Sequence, residues 1–518
     1  MGTDWQTDYL VIGGGSGGCA AAGVLARNGA QVTLVEAGGT NARPDVTTPN
    51  RWPELLGTDA TWPYTTAPQP AAAGRVHDLP MGRILGGSSS VNGMKWMRGG
   101  PWDYDRWAAA GNPGWDAESV YAVYRQLEDY PRGDRSVHGT GGPIKLTEVQ
   151  AEHPLTVTFL EACAERGFTR THDFNGRDAE GYGLNQLNMW DGQREDAASA
   201  FIGPGRLSDR SGVDIALGTT ATRLLLDRGG NRVTGAEVLQ NGVPRTITVR
   251  REVILAAGAV GSPHLLLLSG IGAPHDLERV GVRVLHDLPG VGRNFHDHLG
   301  VPVVIESSRE IPPSRYQATE VSLYLRAGET SQHFDTQVTM HQFAAYLPPR
   351  EYEVSGPAFT FFPGLLKPRS RGSVSLLSTD PLTQPRIDPA YLQDPWDLDT
   401  LVSLIGTVRD LAASAAFAPW CRREVGPGAE VSSQEGLRDY VRRVCSTYYH
   451  PVGTCRMGTD ELAVTDATLR VHGVENLRVA DASVMPEIVS GNTNAPAMMI
   501  GWRGAEFALA ASSLSAPA

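Results

Sequence analysis

An α/β fold in two domains, one of them assembled from remote pieces of chain, is predicted by three features. A strand–turn–helix–strand unit opens the sequence. Apolar runs suited to the same sheet return only after residue 250 and again near residue 477, and the stretches between them lack a parallel α/β rhythm. At 518 residues the chain exceeds one ordinary core, so two domains and a large buried ligand are expected.

The opening unit reads element by element. Asp8 to Ile12 is a β-rich apolar run, Gly13 to Gly18 a tight turn, and Ala20, Ala21, Ala22, Leu25 and Ala26 a helix of small residues. A second strand, Gln31 to Val35, ends at Glu36, which completes a β-α-β unit of the Rossmann type. Gly13-x-Gly15-x-x-Gly18, with Ser16 inside it, lets the backbone approach a diphosphate at the helix N-terminus, where free N–H groups favour anionic oxygens. Glu36, with Ala37 beside it, stands where a carboxylate accepts both hydroxyls of a ribose. The bland alternative, a glycine turn with a surface glutamate, fits the strand-to-helix setting less well. The unit alone does not separate FAD from NAD.

Later runs at Ala221 to Asp227, Val233 to Gln240 and Pro244 to Arg250 read as an antiparallel meander. Glu252 to Ala257 and Leu477 to Ala480 read as buried strands of the nucleotide sheet. Residues 150–205 and 305–449, with strand runs such as Gly372 to Ser378, are assigned to a second domain. Pro312-Pro313 and Pro348-Pro349 mark turns or lid-like loops there, and a polar tail after Ala510 is expected to fray.

Forty-five basic against 57 acidic residues leave a net charge of −12, which disfavours nucleic acid and anionic membranes as partners. No apolar run approaches ~20 residues and no leader pattern precedes the first strand, so the expected compartment is cytoplasmic. Five cysteines without a C-x-x-C pair argue for reduced thiols. The H-x-H at His296-Asp297-His298 lies in a glycine-rich loop and is read as structural; no metal is assigned.

Several further segments carry a resemblance. Gly82-Arg83-Ile84-Leu85-Gly86-Gly87-Ser88-Ser89-Ser90-Val91-Asn92-Gly93 resembles the first signature of the glucose-methanol-choline oxidoreductases, and Gly258-Ala259-Val260-Gly261-Ser262-Pro263 running to Gly272 is similar to the second. Pro289 to Asn294, His450-Pro451-Val452-Gly453-Thr454, Val479 to Ser483 and Gly491 to Pro496 follow in the family's order. The resemblance implies a discontinuous Rossmann-like FAD-binding domain (1–150, 206–304, 450–518) plus an α+β substrate-binding domain with an antiparallel sheet (151–205, 305–449). It places Arg83, Gly86, Gly87, Ser88, Asn92, Gly93, Asp481 and Ala482 at FAD, with Trp62 near the adenine end.

By the same resemblance the protein removes a hydride from an alcohol carbon, with primary alcohols favoured, and passes electrons to oxygen or another acceptor. His450 is the expected base, which requires a neutral imidazole; with an ordinary pKa of ~6.5, acid would remove that form. Asn494 matches the second active-site position and also suits an N-cap. Trp52, His341 and Tyr449 match substrate-pocket positions of the choline-oxidising members. Three positions depart from them. Val91 replaces the histidine that bonds covalently to FAD, so FAD is expected to be non-covalent. Gly300 replaces the glutamate that faces the substrate's ammonium group, which makes choline doubtful, and Tyr448 replaces a small valine on the path of oxygen. Competing readings are a lyase or flavin photoenzyme of the same fold and a redox-silent flavin-binding protein. A homodimer is compatible with the sequence.

Overall fold

The computed structural model describes residues 5–177, 179–203, 212–328, 331–346 and 352–514. The 205/206 division and Pro348-Pro349 lie outside the described residues.

The first strand, Trp5–Ile12, pairs in parallel with Val32–Val35 and with Val243–Leu255, and Val213–Ala216 and Leu477–Val479 extend the parallel part of the sheet. Leu10, Val11, Val32 and Leu34 on these strands of the sheet are fully buried. The helix Ser16–Arg27 packs against it through alanines and glycines small enough to bring helix and strand together. The meander is present as Thr219–Leu226, Val233–Gln240 and Val243–Leu255. Its last strand corrects the sequence reading, because Pro244–Arg250 and Glu252–Ala257 are one strand, not two. The Arg250-Arg251 pair that seemed to divide them sits on the strand, with Arg250 on Asp8 at 2.7 Å and Arg251 over the Tyr9 ring. One strand therefore ties the meander to the parallel sheet.

The second sheet is antiparallel, ordered Cys421–Gly426, Val303–Ser307, Ala358–Leu365, Thr336–His341, Val321–Leu325 and Gly181–Leu184. The short strand Leu299–Gly300 pairs with the end of Ala358–Leu365 and carries Ser446–Thr447 on its other side, so the sheet takes up chain before the 304/305 division. One face packs on the helix Pro395–Ala412 through Leu401, Leu404, Ile405 and Val408. The run Gly372 to Ser378 does not join this sheet; Ser373–Ser375 pairs only with Arg386–Asp388 in a separate ribbon, since the chain there crosses to Phe295 through Gly372.

The C-terminal helix, Asn494–Leu514, continues past Ala510, where fraying was expected. It lies across Ser16–Arg27 at a glycine crossing, where a Cβ on Gly501 would stand 2.0 Å from the Gly17 carbonyl oxygen. Gly501→Ala should therefore lower thermal stability, at the upper end of about 1–3 kcal/mol for overpacking. Gly406→Ala, where a Cβ meets nothing, serves as the control. Equal melting temperatures for the two variants would contradict the crossing.

Candidate active site

Two glycine turns meet beneath the site. Gly86 N donates to Gly14 O at 2.7 Å. Gly87, with φ of +55°, comes so near that a Cβ on it would lie 2.6 Å from Gly15 Cα. Only glycine tolerates both the left-handed backbone and the contact. The Gly82–Gly93 loop is thereby held over the N-terminus of Ser16–Arg27.

A cavity of about 600 Å³ is lined by Gly13, Gly15, Ser16, Glu36, Ala37, Trp62 and Arg83, and continuously with them by Gly87, Ser88, Asn92, Gly93, Asp481 and Ala482. Trp52, His341, Tyr449, His450 and Asn494 line the same cavity. Gly18 and Gly86 do not. A Cβ on Gly18 would lie 1.9 Å from Gly13 O and one on Gly86 2.1 Å from Ser90 Oγ, so these two shape the turns. Of the three serines only Ser88 lines the cavity; Ser89 and Ser90 turn inward onto Gly86 O and Leu85 O.

The donor set suits a dinucleotide. Glu36 accepts from Gly14 N at 2.9 Å and Gly38 N at 2.8 Å through different oxygens, leaving a lone pair on each for a ribose. Burial lifts its carboxyl to about 7 against the pull of those N–H groups. Arg83 stacks on Trp62 at 4.7 Å, and Trp62 on Tyr64, which provides a flat cationic and aromatic wall. Asp481 is committed to Gly258 N at 2.8 Å and Ser483 N at 2.8 Å, so it fixes a second helix N-terminus at the cavity wall. Arg83 Nε, Asn494 Nδ2, Asn492 Oδ1 and both ring nitrogens of His341 are buried without protein partners. Each such atom costs about 1–3 kcal/mol unless a ligand or water completes it. The fit to FAD is therefore good.

Asn494 is the first residue of its helix, and its side chain does not cap that helix. Oδ1 accepts from Ser16 Oγ at 2.7 Å and Nδ2 is left for a ligand, which joins the C-terminal helix to the first glycine turn. Trp52 Nε1 donates to Gln317 O at 3.0 Å, and its ring faces His341 and Phe343. Val91, buried beside Ile84 and Val46, offers no atom for a covalent bond.

His450 sits between three groups. Its backbone N donates to Asp297 Oδ1 at 2.8 Å; its Nδ1 lies 2.9 Å from His298 Nδ1, and its Nε2 3.1 Å from Asn492 Nδ2. His298 Nε2 faces two carbonyls, Leu366 O at 3.0 Å and Val489 O at 3.1 Å. Carbonyls only accept, so His298 Nε2 carries the proton and its Nδ1, the ring being held neutral by burial, is an acceptor. His450 must then donate from Nδ1, which leaves the Nε2 lone pair on the cavity side. Burial first, and the Lys95 charge second, bring His450 down to about 3. Acid therefore removes its neutral form near pH 3, not near the ordinary value.

Sequence reading missed four of these residues. Asp297 and His298 belong to the H-x-H, which works through hydrogen bonds: Asp297 takes Thr447 and Tyr391 hydroxyls as well as His450 N, and His296 Nε2 accepts from Ile488 N at 2.8 Å. Asn492 lay unremarked in the quoted Gly491 to Pro496 segment. Lys95 gave no signal beyond its place after the first signature. Gly300 and Tyr448 prove to be one steric unit, because a Cβ on Gly300 would meet Tyr448 Cε2 at 2.6 Å and Phe362 Cζ at 2.7 Å.

Comparison with known proteins agrees with this architecture. The family description GMC oxidoreductase matches residues 7–300 and, in its C-terminal part, 368–501. The chain is 34% identical to an alcohol dehydrogenase [acceptor] of Pseudomonas putida over 96% of this chain and 95% of the relative. It is 33% identical to an oxygen-dependent choline dehydrogenase of Brucella anthropi over 97% and 96%. Among solved structures, pyridoxine 4-oxidase from Mesorbium loti superposes with a TM-score of 0.91 at 34% identity, covering 96% of this chain and 98% of that one. A formate oxidase of Aspergillus oryzae, at 24% identity over 99% and 100%, shares the fold with a TM-score of 0.91. With both parts of the family pattern matched and relatives aligned along nearly its whole length, the chain belongs to the GMC oxidoreductase family.

Proposed function

We propose that the protein oxidises an alcohol by hydride transfer to non-covalently held FAD, with His450 as the general base. The observation that carries this reading is the His450 Nε2 lone pair, aimed into the cavity by a proton order set from Leu366 O and Val489 O through His298. FAD, when bound, supplies the hydride acceptor.

The chain's own residues supply the rest. An alcohol hydroxyl donates to His450 Nε2 in place of Asn492, and the proton passes to that atom as the hydride leaves the carbon. His298 Nδ1 faces the Nδ1–H of the imidazolium so formed, and its own Nε2–H spreads polarity onto two backbone carbonyls. Asn494 Nδ2 donates to the alcohol oxygen while Oδ1 stays on Ser16. Trp52, Tyr449 and His341 enclose the carbon chain and exclude water. Glu36 holds the ribose, and the Gly13–Ser16 turn together with Ser88 holds the diphosphate. Val91 leaves FAD unbonded, and Gly300 with Tyr448 above it leaves neither a carboxylate nor space for one, so choline is a poor substrate.

The function is tested by mixing the holoprotein anaerobically with primary alcohols, aryl alcohols and choline while the visible absorbance is followed. Uncharged alcohols should bleach the flavin faster than choline, and acid precipitation of the same preparation should leave the yellow colour in the supernatant. Choline as the best substrate, no bleaching by any alcohol, or colour in the pellet would each refute the corresponding part. The proton order is tested on nitrogen-15 histidine-labelled protein, with His450 assigned by its loss in His450→Ala. At pH 6 the ring should be neutral with its proton on Nδ1. A proton on Nε2, or a ring charged at that pH, would contradict the hydrogen-bond chain.

A further inference from the structure

Lys95 lies in the wall of the same cavity, alongside Gln337, His341 and Tyr448. Its ammonium donates to Ser322 Oγ at 2.7 Å, stands 3.5 Å from Gln337 Oε1 and lies 4.8 Å from the Tyr324 ring centroid. The Ser322 hydroxyl proton is spent on Asn185 Oδ1 at 2.9 Å, so Ser322 can only receive the lysine. An ammonium has three N–H bonds; one is well placed on Ser322 and one marginal on Gln337, which leaves donor capacity on the cavity side.

No carboxylate lies within ion-pair distance of Lys95 among the described residues. Burial alone acts on it and draws it to about 7, and its field reaches His341 and His450, both of which it depresses. A cation taken out of water without a counter-ion is costly, and so is retained where something supplies the missing charge. None of the described residues nearby does: Gly300 has no side chain, and the space above it is filled by Tyr448 and Phe362. The amine is therefore only partly charged near neutral pH until an anion holds its proton, and among the described residues it shares the cavity wall with the rings of Trp52, Tyr346 and Tyr448.

We propose that Lys95 sets specificity by pairing with a carboxylate carried by the substrate, so that the alcohol is a hydroxy acid whose spacer, aliphatic or aryl, reaches from His450 to Lys95. A single ammonium suits a monoanion; a phosphate dianion would call for further cations that this wall lacks among the described residues. The inference rests on the alcohol-oxidation reading for the reacting end only, and its test separates the two.

The experiment compares matched pairs in anaerobic flavin reduction per bound flavin: 4-(hydroxymethyl)benzoate against benzyl alcohol, and 6-hydroxyhexanoate against hexan-1-ol. Wild type should favour the acid in at least one pair. The acid-to-alcohol ratio of kcat/KM should fall on the order of 10- to 100-fold in Lys95→Met, as for loss of a hydrogen bond to a charged group, and Lys95→Arg should restore part of it. Uncharged alcohols reduced as well as their acids, or a ratio unchanged in Lys95→Met, would overturn the inference and leave the function standing. Binding of 4-methylbenzoate against 4-methylbenzamide to wild-type holoprotein, read from the flavin spectrum, needs neither turnover nor a variant. Tighter binding of the acid supports the pairing, and equal or weaker binding overturns it even if no alcohol is oxidised.

Discussion

The close approach of backbone to backbone at three glycine crossings is the constraint on which the site depends. Gly87 against Gly15 fixes the signature loop over the first helix, Gly501 against Gly17 fixes the C-terminal helix across it, and Gly38 packs on Arg83 O, where a Cβ would stand 1.9 Å away. These contacts bring chain from near residues 15, 87 and 494 to one cavity. The Ser16–Asn494 hydrogen bond and the Gly86–Gly14 bond then lock the crossing with directional interactions. Glycine is needed here for space, and the small hydrophobic payload it forgoes is made up by the surrounding aliphatic sheet.

The histidine end depends on the second sheet. Pairing of Leu299 with Thr447 and of Gly300 with Ser446 sets His298 and His450 on adjoining segments, with Tyr448 N donating to His298 O at 3.0 Å. Tyr449, at φ of +62°, carries the chain out of that pairing so that the next ring turns toward the cavity. A shift of register by one residue would break the His298–His450 contact and with it the proton order. The same edge explains the far wall, because Tyr448 lies over both Gly300 and Gly364. Tyr448 occupies the volume that a side chain at position 300 would need.

Much of the nucleotide end was legible in the sequence, because a glycine turn, a terminal glutamate and a small-residue helix answer to local sterics. His450 and Asn494 were legible through the segments that contain them. The partners of His450 were not, since His298 meets it only through a strand pairing between segments about 150 residues apart. Lys95 reads as any surface lysine until the cavity and the absence of a described carboxylate around it are known. The strand Val243–Leu255 was split in the reading because Arg250 and Arg251 break its apolar pattern, whereas the sheet accommodates them by ion pair and ring contact. The Oδ1 of Asn494, which the sequence suggests as a helix cap, is instead bound to another element's hydroxyl.

The central claim is that a neutral His450, held by His298, takes the alcohol proton. Anaerobic stopped-flow reduction of the flavin by a good alcohol, measured per bound flavin for wild type, His450→Ala and Asn494→Ala across pH, tests it most directly. Loss of the base should slow reduction ~10²–10⁴-fold. Loss of the Asn494 hydrogen bond should cost about 0.5–1.5 kcal/mol, and wild type should stay active well below pH 6. Reduction by His450→Ala as fast as wild type at every pH would contradict the account and turn attention to His341, whose imidazole lines the same cavity with both nitrogens unpartnered.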